Sequence, residues 1–292
     1  MNVRPATKSD YAAIAELFRA VEAELLPRPT DLTADVVDGW LQTLALQTNT
    51  WLFEEDGRLV AGAFGQVHGD RGNCAGAVHP SARGRGLGGR LVGLLEDRIR
   101  EEGAARIHNN ALAADTAATE LLESRNYAEV RRFWDMAINF DGDIPEPAVA
   151  AAPFREEDAR AFHATLEEAF AEHWGHEPES FDEWWARQRG RATFDPSAWF
   201  VIRDGDEIAA VCRNDPHETR GYVGALGVRP AWRGRGYARA LLLHSFREFQ
   251  RRGLPRATLG VDASNATGAT QLYESVGMHV ELEMVVWEKI LA

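Results

Sequence analysis

"VRPAWRGRGYARALLL" occupies residues 228–243, and "VHPSARGRGLGGRLVG" occupies residues 78–93. The Val, the Pro and an Arg-Gly-Arg-Gly core (83–86 and 233–236) recur at an offset of 150 residues. Each copy follows a strand-like stretch. Each leads into helically spaced apolar residues: Leu87, Leu91 and Leu94 in one half, Leu242, Phe246 and Phe249 in the other. In a strand–glycine turn–helix, the first helical amides have no intrahelical acceptor, and the helix dipole adds positive potential in front of them. Gly84, Gly86 and Gly88, and Gly234 and Gly236, let an anion reach the backbone. Arg83, Arg85 and Arg90, and Arg229, Arg233, Arg235 and Arg239, add local positive charge. A solvated surface turn would explain one copy equally well. Two copies in the same setting favour a pyrophosphate cradle.

Working outward, the offset divides 292 residues near their midpoint, which predicts two domains of a size able to bury a core each. The stretch "DGDIPEPAVAAAP" (141–153) reads as a linker. The expected boundaries are 1–141 for the first domain, 142–153 for the linker and 154–292 for the second. Each half orders its elements alike. A short extended stretch ("NVRPA", "PFR") precedes an amphipathic helix (Ile14, Leu17, Phe18, Val21; Phe162, Leu166, Ala169, Phe170). Ser9 or Asp10 is the expected cap of the first helix. A second helix is expected near 33–47 and 179–190, then a hairpin turning at Asp56-Gly57 or Asp204-Gly205. After the arginine-glycine turn and its helix come a strand, a shorter helix and a terminal hairpin, the first half's at 127–140. The predicted class is α/β with a mixed, mostly antiparallel sheet and one central β-turn-α-β unit per domain.

A formal charge of −13 argues against nucleic acid or an anionic membrane as partner and suits a cationic small substrate. The two cysteines, Cys74 and Cys212, lack metal-ligand spacing, and no metal is expected. Their scarcity, the absence of a signal-peptide core at the start and the lack of a run of about 20 apolar residues predict a cytoplasmic protein. It is expected as a monomer or homodimer. Residues 84–89 formally match the dinucleotide fingerprint G-x-G-x-x-G, but Arg239 stands where its third Gly should recur, and no acidic residue ends the next strand, "ARIHNN".

Both copies share Arg-x-x-Gly-x-Gly/Ala: Arg83, Gly86, Gly88 and Arg233, Gly236, Ala238. With "GALGVRP" before it and "NATGATQLYESVGM" after it, the second half resembles the GNAT superfamily of acyl-CoA-dependent N-acetyltransferases. The whole chain resembles a tandem-GNAT protein, the arrangement also found in mycothiol synthases. The resemblance implies acetyl-CoA as co-substrate and a small-molecule primary amine as acceptor. It implies a pantetheine arm against Leu226 and Val228, with Val78 as the first-half counterpart. It implies a diphosphate on Arg233, Gly234, Arg235, Gly236, Tyr237 and Ala238, with Arg83, Gly84, Arg85, Gly86, Leu87 and Gly88 as the matching set. Asn265 matches the Asn near the CoA arm, and Tyr273 the Tyr that protonates the departing thiolate. Without the resemblance, Asn265 or Ser264 reads as a helix cap, and Tyr273 as part of an apolar stripe with Ala269, Leu272 and Val276.

Aligning "LLESRNY" with "LYESVGM" sets Leu122 against Tyr273, Ala114 against Asn265 and Asn126 against Gly277. The first domain therefore reads as having lost its catalytic equipment, and the active site is expected in the second. Where relatives place a basic Glu on the strand before the turn, this chain has Tyr222. The base is left among a water chain, Glu218, His217, Glu172 and His173. The acceptor side is expected at 167–185, where carboxylates cluster with Glu172, His173, Trp174, Trp184 and Trp185. That cluster reads either as a cleft for a cationic amine or as a solvated face over core tryptophans. Mycothiol synthesis and a non-catalytic acyl-CoA sensor are the alternative functions.

Overall fold

The computed structural model describes residues 1–26, 30, 32–265 and 268–291. It divides into two compact units. Unit 1 comprises Met1–Trp134, Asp262–Ser264 and Leu282–Ala292; unit 2 comprises Asp135–Val261 and Asn265–Glu281.

The first half of the chain supplies β1 (Asn2–Arg4), α1 (Tyr11–Leu25), α2 (Ala34–Leu41), α3 (Leu46–Asn49), β2 (Thr50–Glu55), β3 (Arg58–His68), β4 (Arg71–Val78), α4 (Leu87–Glu101), β5 (Arg106–Leu112), α5 (Thr116–Ser124) and β6 (Ala128–Asn139). The second half repeats the order with β7 (Ala152–Pro153), α6 (Ala159–Phe170), α7 (Phe181–Arg189), β8 (Phe200–Asp204), β9 (Glu207–Pro216), β10 (Gly221–Val228), α8 (Tyr237–Arg251), β11 (Arg256–Asp262), α9 (Ala269–Ser275) and β12 (His279–Ile290). Unit 1 has strand order β1-β2-β3-β4-β5-β12, and unit 2 has β6-β11-β10-β9-β8-β7. β4–β5 and β10–β11 are parallel, while the hairpin pairs around them are antiparallel. The predicted mixed α/β fold with two halves of like element order is the observed one.

The helix periodicity becomes the core directly. In unit 1, Leu87, Leu91, Leu95 and Ile99 of α4 pack with Phe53, Ala61, Ala63, Cys74 and Ile107. In unit 2, Leu242, Phe246 and Phe249 of α8 are buried on one face of the sheet. On the other face Phe162, Leu166, Trp184, Trp185 and Trp199 form a dense aromatic cluster. Two equivalent glycines let the central helices sit close. A Cβ on Gly72 would overlap Ile99, and one on Gly221 would overlap the Phe249 ring.

Four expectations need correction. The terminal hairpins are single twelve-residue strands, β6 and β12. Neither contains a glycine or proline to turn on. The compact units divide within them rather than in the linker. Val285 and Trp287 of the last strand, with Leu291 just after it, are buried in the unit 1 core, and Met284–Ile290 pairs antiparallel with Leu112–Arg106. His108 meets Glu288 at 2.8 Å and Glu96 meets Lys289 at 3.1 Å, fixing that strand end. Second, the stretch 142–151 is strapped along α8 instead of hanging free. Gln250 donates to the Gly142 carbonyl, Arg247 to the Ile144 carbonyl, and the Ala151 N–H to His244. Third, Asp10 does not cap α1. Its carboxylate accepts from Thr7 and from the Arg4 guanidinium, which holds it down at about 2. Fourth, the hairpin at Asp56-Gly57 has both residues in the left-handed region, at φ +49° and +75°. In unit 2 the strands close one residue later, Asp204 opposite Glu207, so Gly205-Asp206 makes the turn.

Candidate active site

The two arginine-glycine turns share one backbone conformation. Gly84 and Gly86 have φ of +73° and +75°, and Gly234 and Gly236 have +79° each. A Cβ built on any of the four meets nothing within 4 Å. Glycine is required there by the left-handed backbone, and the space in front of the turn is open. The first helical return bonds run from Arg90 to the Gly86 carbonyl (3.2 Å) and from Ala240 to the Gly236 carbonyl (3.0 Å). The amides of residues 87–89 and 237–239 thus lack intrahelical acceptors and face that space. This is the shape and polarity a diphosphate requires. At Gly88, by contrast, an added Cβ would stand 3.0 Å from Leu121 Cδ2.

The turn arginines have local partners. Arg85 forks onto Glu55 at 2.7 Å through both nitrogens, and Arg83 pairs with Glu24 at 2.8 Å and Asp115 at 3.5 Å. Arg235 reaches Asp204 at 3.2 Å, and the Trp232 indole donates to the same carboxylate at 2.8 Å. Arg233 reaches the Ala169 carbonyl at 3.3 Å and Glu172 at 3.7 Å. Arg239 binds the carbonyl and hydroxyl of Ser275 at 2.9 Å each, bracing α9. Pairs this open to solvent are screened and weak, so an arriving anion can exchange for them.

The strands before the two turns differ. In unit 1, β4 pairs with β5 from Arg71↔Arg106 through Ala75↔Asn110. In unit 2, β10 pairs with β11 only at Gly221↔Ala257 and Tyr222↔Thr258. Against β9, Val223 opposes Asn214 and Ala225 opposes Arg213, so Gly224 is an extra, bulged residue that β4 lacks. The bulge bends β10 away from β11. From Val223 through Leu226 to Val228, the edge of β10 toward β11 is left out of the ladder, so its backbone groups are available to another partner.

α9 carries Tyr273, and its other residues are half-buried or exposed. Burial raises the Tyr273 phenol above its ordinary value, and the neighbouring Cys212 and Tyr222 add to the shift. The register against unit 1 is fixed by matching bonds: Met278 N–H to the Tyr273 carbonyl and Tyr127 N–H to the Leu122 carbonyl, both 3.0 Å. Leu122 therefore occupies the tyrosine's place, and Gly277 (φ +94°) and Asn126 (φ +64°) are equivalent left-handed residues. Asn265 is half-buried and does not cap α9, whose N-cap is Gly268. In unit 1, Asp115 caps α5 by accepting from the Ala118 amide at 3.0 Å.

The acidic segment sorts into local pairs. Glu168 meets Arg229 at 2.6 Å, Glu179 meets Arg187 at 2.5 Å, Glu167 meets His176 at 3.4 Å, and Glu183 closes a capping box with Ser180. Trp184 and Trp185 belong to the core, whereas Trp174 is 40% exposed after α6. His173 packs on Phe170 at 4.5 Å between ring centroids. Glu172 and Glu218 are exposed. His217 is half-buried, its ring 6.2 Å from that of Tyr222. Tyr222 lies at the last paired position before the strands part, and burial raises its phenol.

Sequence reasoning missed a buried polar cluster beside Tyr222. Arg213 and Asp215 project from β9 toward Gln188 and Arg191, at and beyond the end of α7. The available signal was two charged residues in alternation on a strand otherwise buried along its length. Unit 1 has Phe64 and Gln66 at the same register positions.

Residues 14–127 and 159–278 each match the family described as "Acetyltransferase (GNAT) family". The chain belongs to that family. It is a tandem GNAT N-acetyltransferase, similar to curated proteins named mycothiol acetyltransferase. The one from Thermobifida fusca is 29% identical over 81% of this chain and 80% of its own length. The one from Pseudarthrobacter chlorophenolicus is 34% identical over 69% of this chain and 65% of its own. Among solved structures, a GCN5-related N-acetyltransferase from Sphaerobacter thermophilus superposes with a TM-score of 0.86 at 32% identity, covering 99% of this chain and 95% of that one. A tandem GNAT protein from the clavulanic acid biosynthesis pathway shares the fold, with TM-score 0.74 and 15% identity over 100% of this chain and 98% of the other. Among the described residues, no helix is long and apolar enough to cross a membrane, and no three His, Cys, Asp or Glu side chains group as a metal site.

Proposed function

We propose that this GNAT protein transfers an acetyl group from acetyl-CoA to the primary amine of a small molecule, and that unit 2 is the catalytic unit. One observation carries the assignment of the unit: the Gly224 bulge and the ladder ending at Tyr222↔Thr258 open a wedge in unit 2, where unit 1 stays paired through Ala75↔Asn110. Tyr273 faces that wedge, with Leu122 as its unit 1 counterpart.

Bound acetyl-CoA supplies an activated acyl carbon and a thiolate leaving group. The turn from Arg233 to Ala238 holds its diphosphate, through backbone amides and the Gly234 and Gly236 conformations described above. The unpaired edge of β10 at Leu226 and Val228 bonds the pantetheine arm, with Asn265 beside it. Val78 and the 83–88 turn are the corresponding surface of unit 1. Tyr273 Oη gives its proton to the thiolate. A phenol kept neutral by burial is protonated across the working pH range, as a general acid must be. Tyr222 orients the amine at the point of divergence. His217, against the Tyr222 ring, is the best placed of the candidate bases, since Glu172 and Glu218 lie in solvent. Glu172, His173 and Trp174 border the acceptor entrance.

Mycothiol synthesis is the second reading, favoured by the relatives named for that reaction. A thiol-release assay with acetyl-CoA, run across amino acids, polyamines, aminoglycosides, peptides and the desacetyl thiol-sugar, tests both. Release with no acceptor in the panel overturns the proposal, and selective release with the thiol-sugar establishes the narrower reading.

A further inference from the structure

We propose that the acceptor of unit 2 carries a carboxylate near its amine, and that Arg191 and Arg213 bind that carboxylate. The inference rests on unit 2 being the acetyl-transferring unit.

Val211, Arg213 and Asp215 alternate along β9 and so share one face of the sheet. Val211 packs there with Trp184 and Trp185, which places the other two on the face covered by α6 and α7. Arg213 pairs across the ladder with Ala225, one residue past the bulge. Gly224 has no side chain because the guanidinium and the Asp215 carboxylate fill that space. A Cβ there would overlap both and would stand 2.9 Å from Arg213 Cζ. The cluster therefore touches the backbone at the point where β10 leaves β11, one residue from Val223 and two from Tyr222.

Its charge is not balanced. Asp215 is 1% exposed, accepts from Arg191 at 3.1 Å and is ion-paired with Arg213 at 3.4 Å, so two guanidiniums share one carboxylate. Arg213 spends a second nitrogen on the Gln188 carbonyl oxygen at 2.6 Å. Three buried donors around the same centre remain without an acceptor: Nε of Arg191, Nε of Arg213 and Nε2 of Gln188. Burial and the neighbouring Arg213 push the Arg191 guanidinium down, so an added anion would relieve it. A buried donor without a partner is costly, and three together are a place waiting for acceptor oxygens. A carboxylate supplies them in the planar geometry that a guanidinium fork matches. With its carboxylate there, an acceptor presents its amine toward Tyr222 and the wedge. Unit 1, with Phe64 and Gln66 at these positions, has no such cluster.

The test uses the full chain and matched triplets of acceptors: L-amino acids, their α-amides and the corresponding decarboxylated amines. Thiol release from acetyl-CoA gives kcat/KM for each. The expected result is a preference of about 100-fold or more for the acids, because a site with buried donors rejects an analogue that leaves them unpaired. Arg191→Met leaves Asp215 paired with Arg213, and Arg213→Met leaves it paired with Arg191, so each variant keeps a neutral buried pair. Either should lower the preference at least ~10-fold through the acceptor's KM, with the KM of acetyl-CoA unchanged. Equal rates for acid, amide and amine in the unaltered protein overturn the inference, as does a preference that survives both substitutions. If no triplet is turned over, the wider acceptor panel above decides whether unit 2 is a transferase, and a binding arm still decides the carboxylate site. Amino acids at about 10 mM should raise the unfolding midpoint of the unaltered chain but of neither variant, while α-amides should not. No shift overturns the carboxylate site.

Discussion

The two units carry the same turn, to within a few degrees at each glycine, on strands that behave differently. Unit 1 zips β4 to β5 for five consecutive pairs, and unit 2 stops after two. The difference is one inserted residue, Gly224, with a charged cluster filling its missing side chain. An anion-binding turn therefore says little about which copy is catalytic. The proposed assignment of catalysis to unit 2 rests instead on the strand before the turn and on Tyr273 against Leu122 after it.

The largest expected effect tests which elements each unit owns. A chain ending at Glu281 removes Val285, Trp287 and Leu291 from the unit 1 core, at about 1.5–3 kcal/mol each for the side chains alone. It also leaves the buried His108 without Glu288. Together these approach the whole stability of a domain. Hydrogen exchange should show α4 losing protection while α8 keeps it. Equal protection in both helices would mean that the last strand is dispensable to unit 1.

Tyr273→Phe should lower kcat by roughly 10²–10⁴, with acetyl-CoA affinity nearly unchanged, as loss of a general acid does. Leu122→Phe in unit 1 should leave turnover intact. Unaltered turnover in the Tyr273→Phe variant would remove the proton-donor role.

Gly236→Val and Gly86→Val form a matched pair. A β-branched residue resists a φ near +75° and would project into the open space before the amides. Calorimetry should show acetyl-CoA affinity at unit 2 falling about 10-fold or more in the first variant, with turnover following it. The second should spare turnover and abolish any acetyl-CoA bound to unit 1. If both spare turnover, the turn does not hold the diphosphate.

The mildest prediction concerns pH. Burial raises the Tyr273 phenol, so it remains protonated at pH values where an ordinary tyrosine, near 10, begins to ionise. The rate should rise with pH as the acceptor amine loses its proton. It should show no alkaline fall below about pH 10 attributable to this residue. A kcat profile that descends from about pH 8 or 9, and straightens in Tyr273→Phe, would contradict the burial argument.

Sequence periodicity, glycine placement and the repeat carried most of the architecture. The α4 and α8 stripes, both turns and the order of elements follow from local rules: a helical face must be buried, and a left-handed residue favours glycine. The Leu122-for-Tyr273 exchange was equally legible, because a repeat aligns its own copies. Three things were not. The ownership of Leu282–Leu291 depends on which edge strand a long β segment meets, and alternation along β12 is the same whichever sheet receives it. The pairing of the carboxylates at 167–183 with Arg229, Arg187 and His176 depends on distances that composition does not carry. The cluster of Gln188, Arg191, Arg213, Asp215 and Gly224 joins residues up to 36 positions apart. It exists only because β9 and β10 lie side by side with a bulge between them. Local chemistry determined what each segment could form. Packing decided which segments met, and with them where the charge is buried and where the sheet opens.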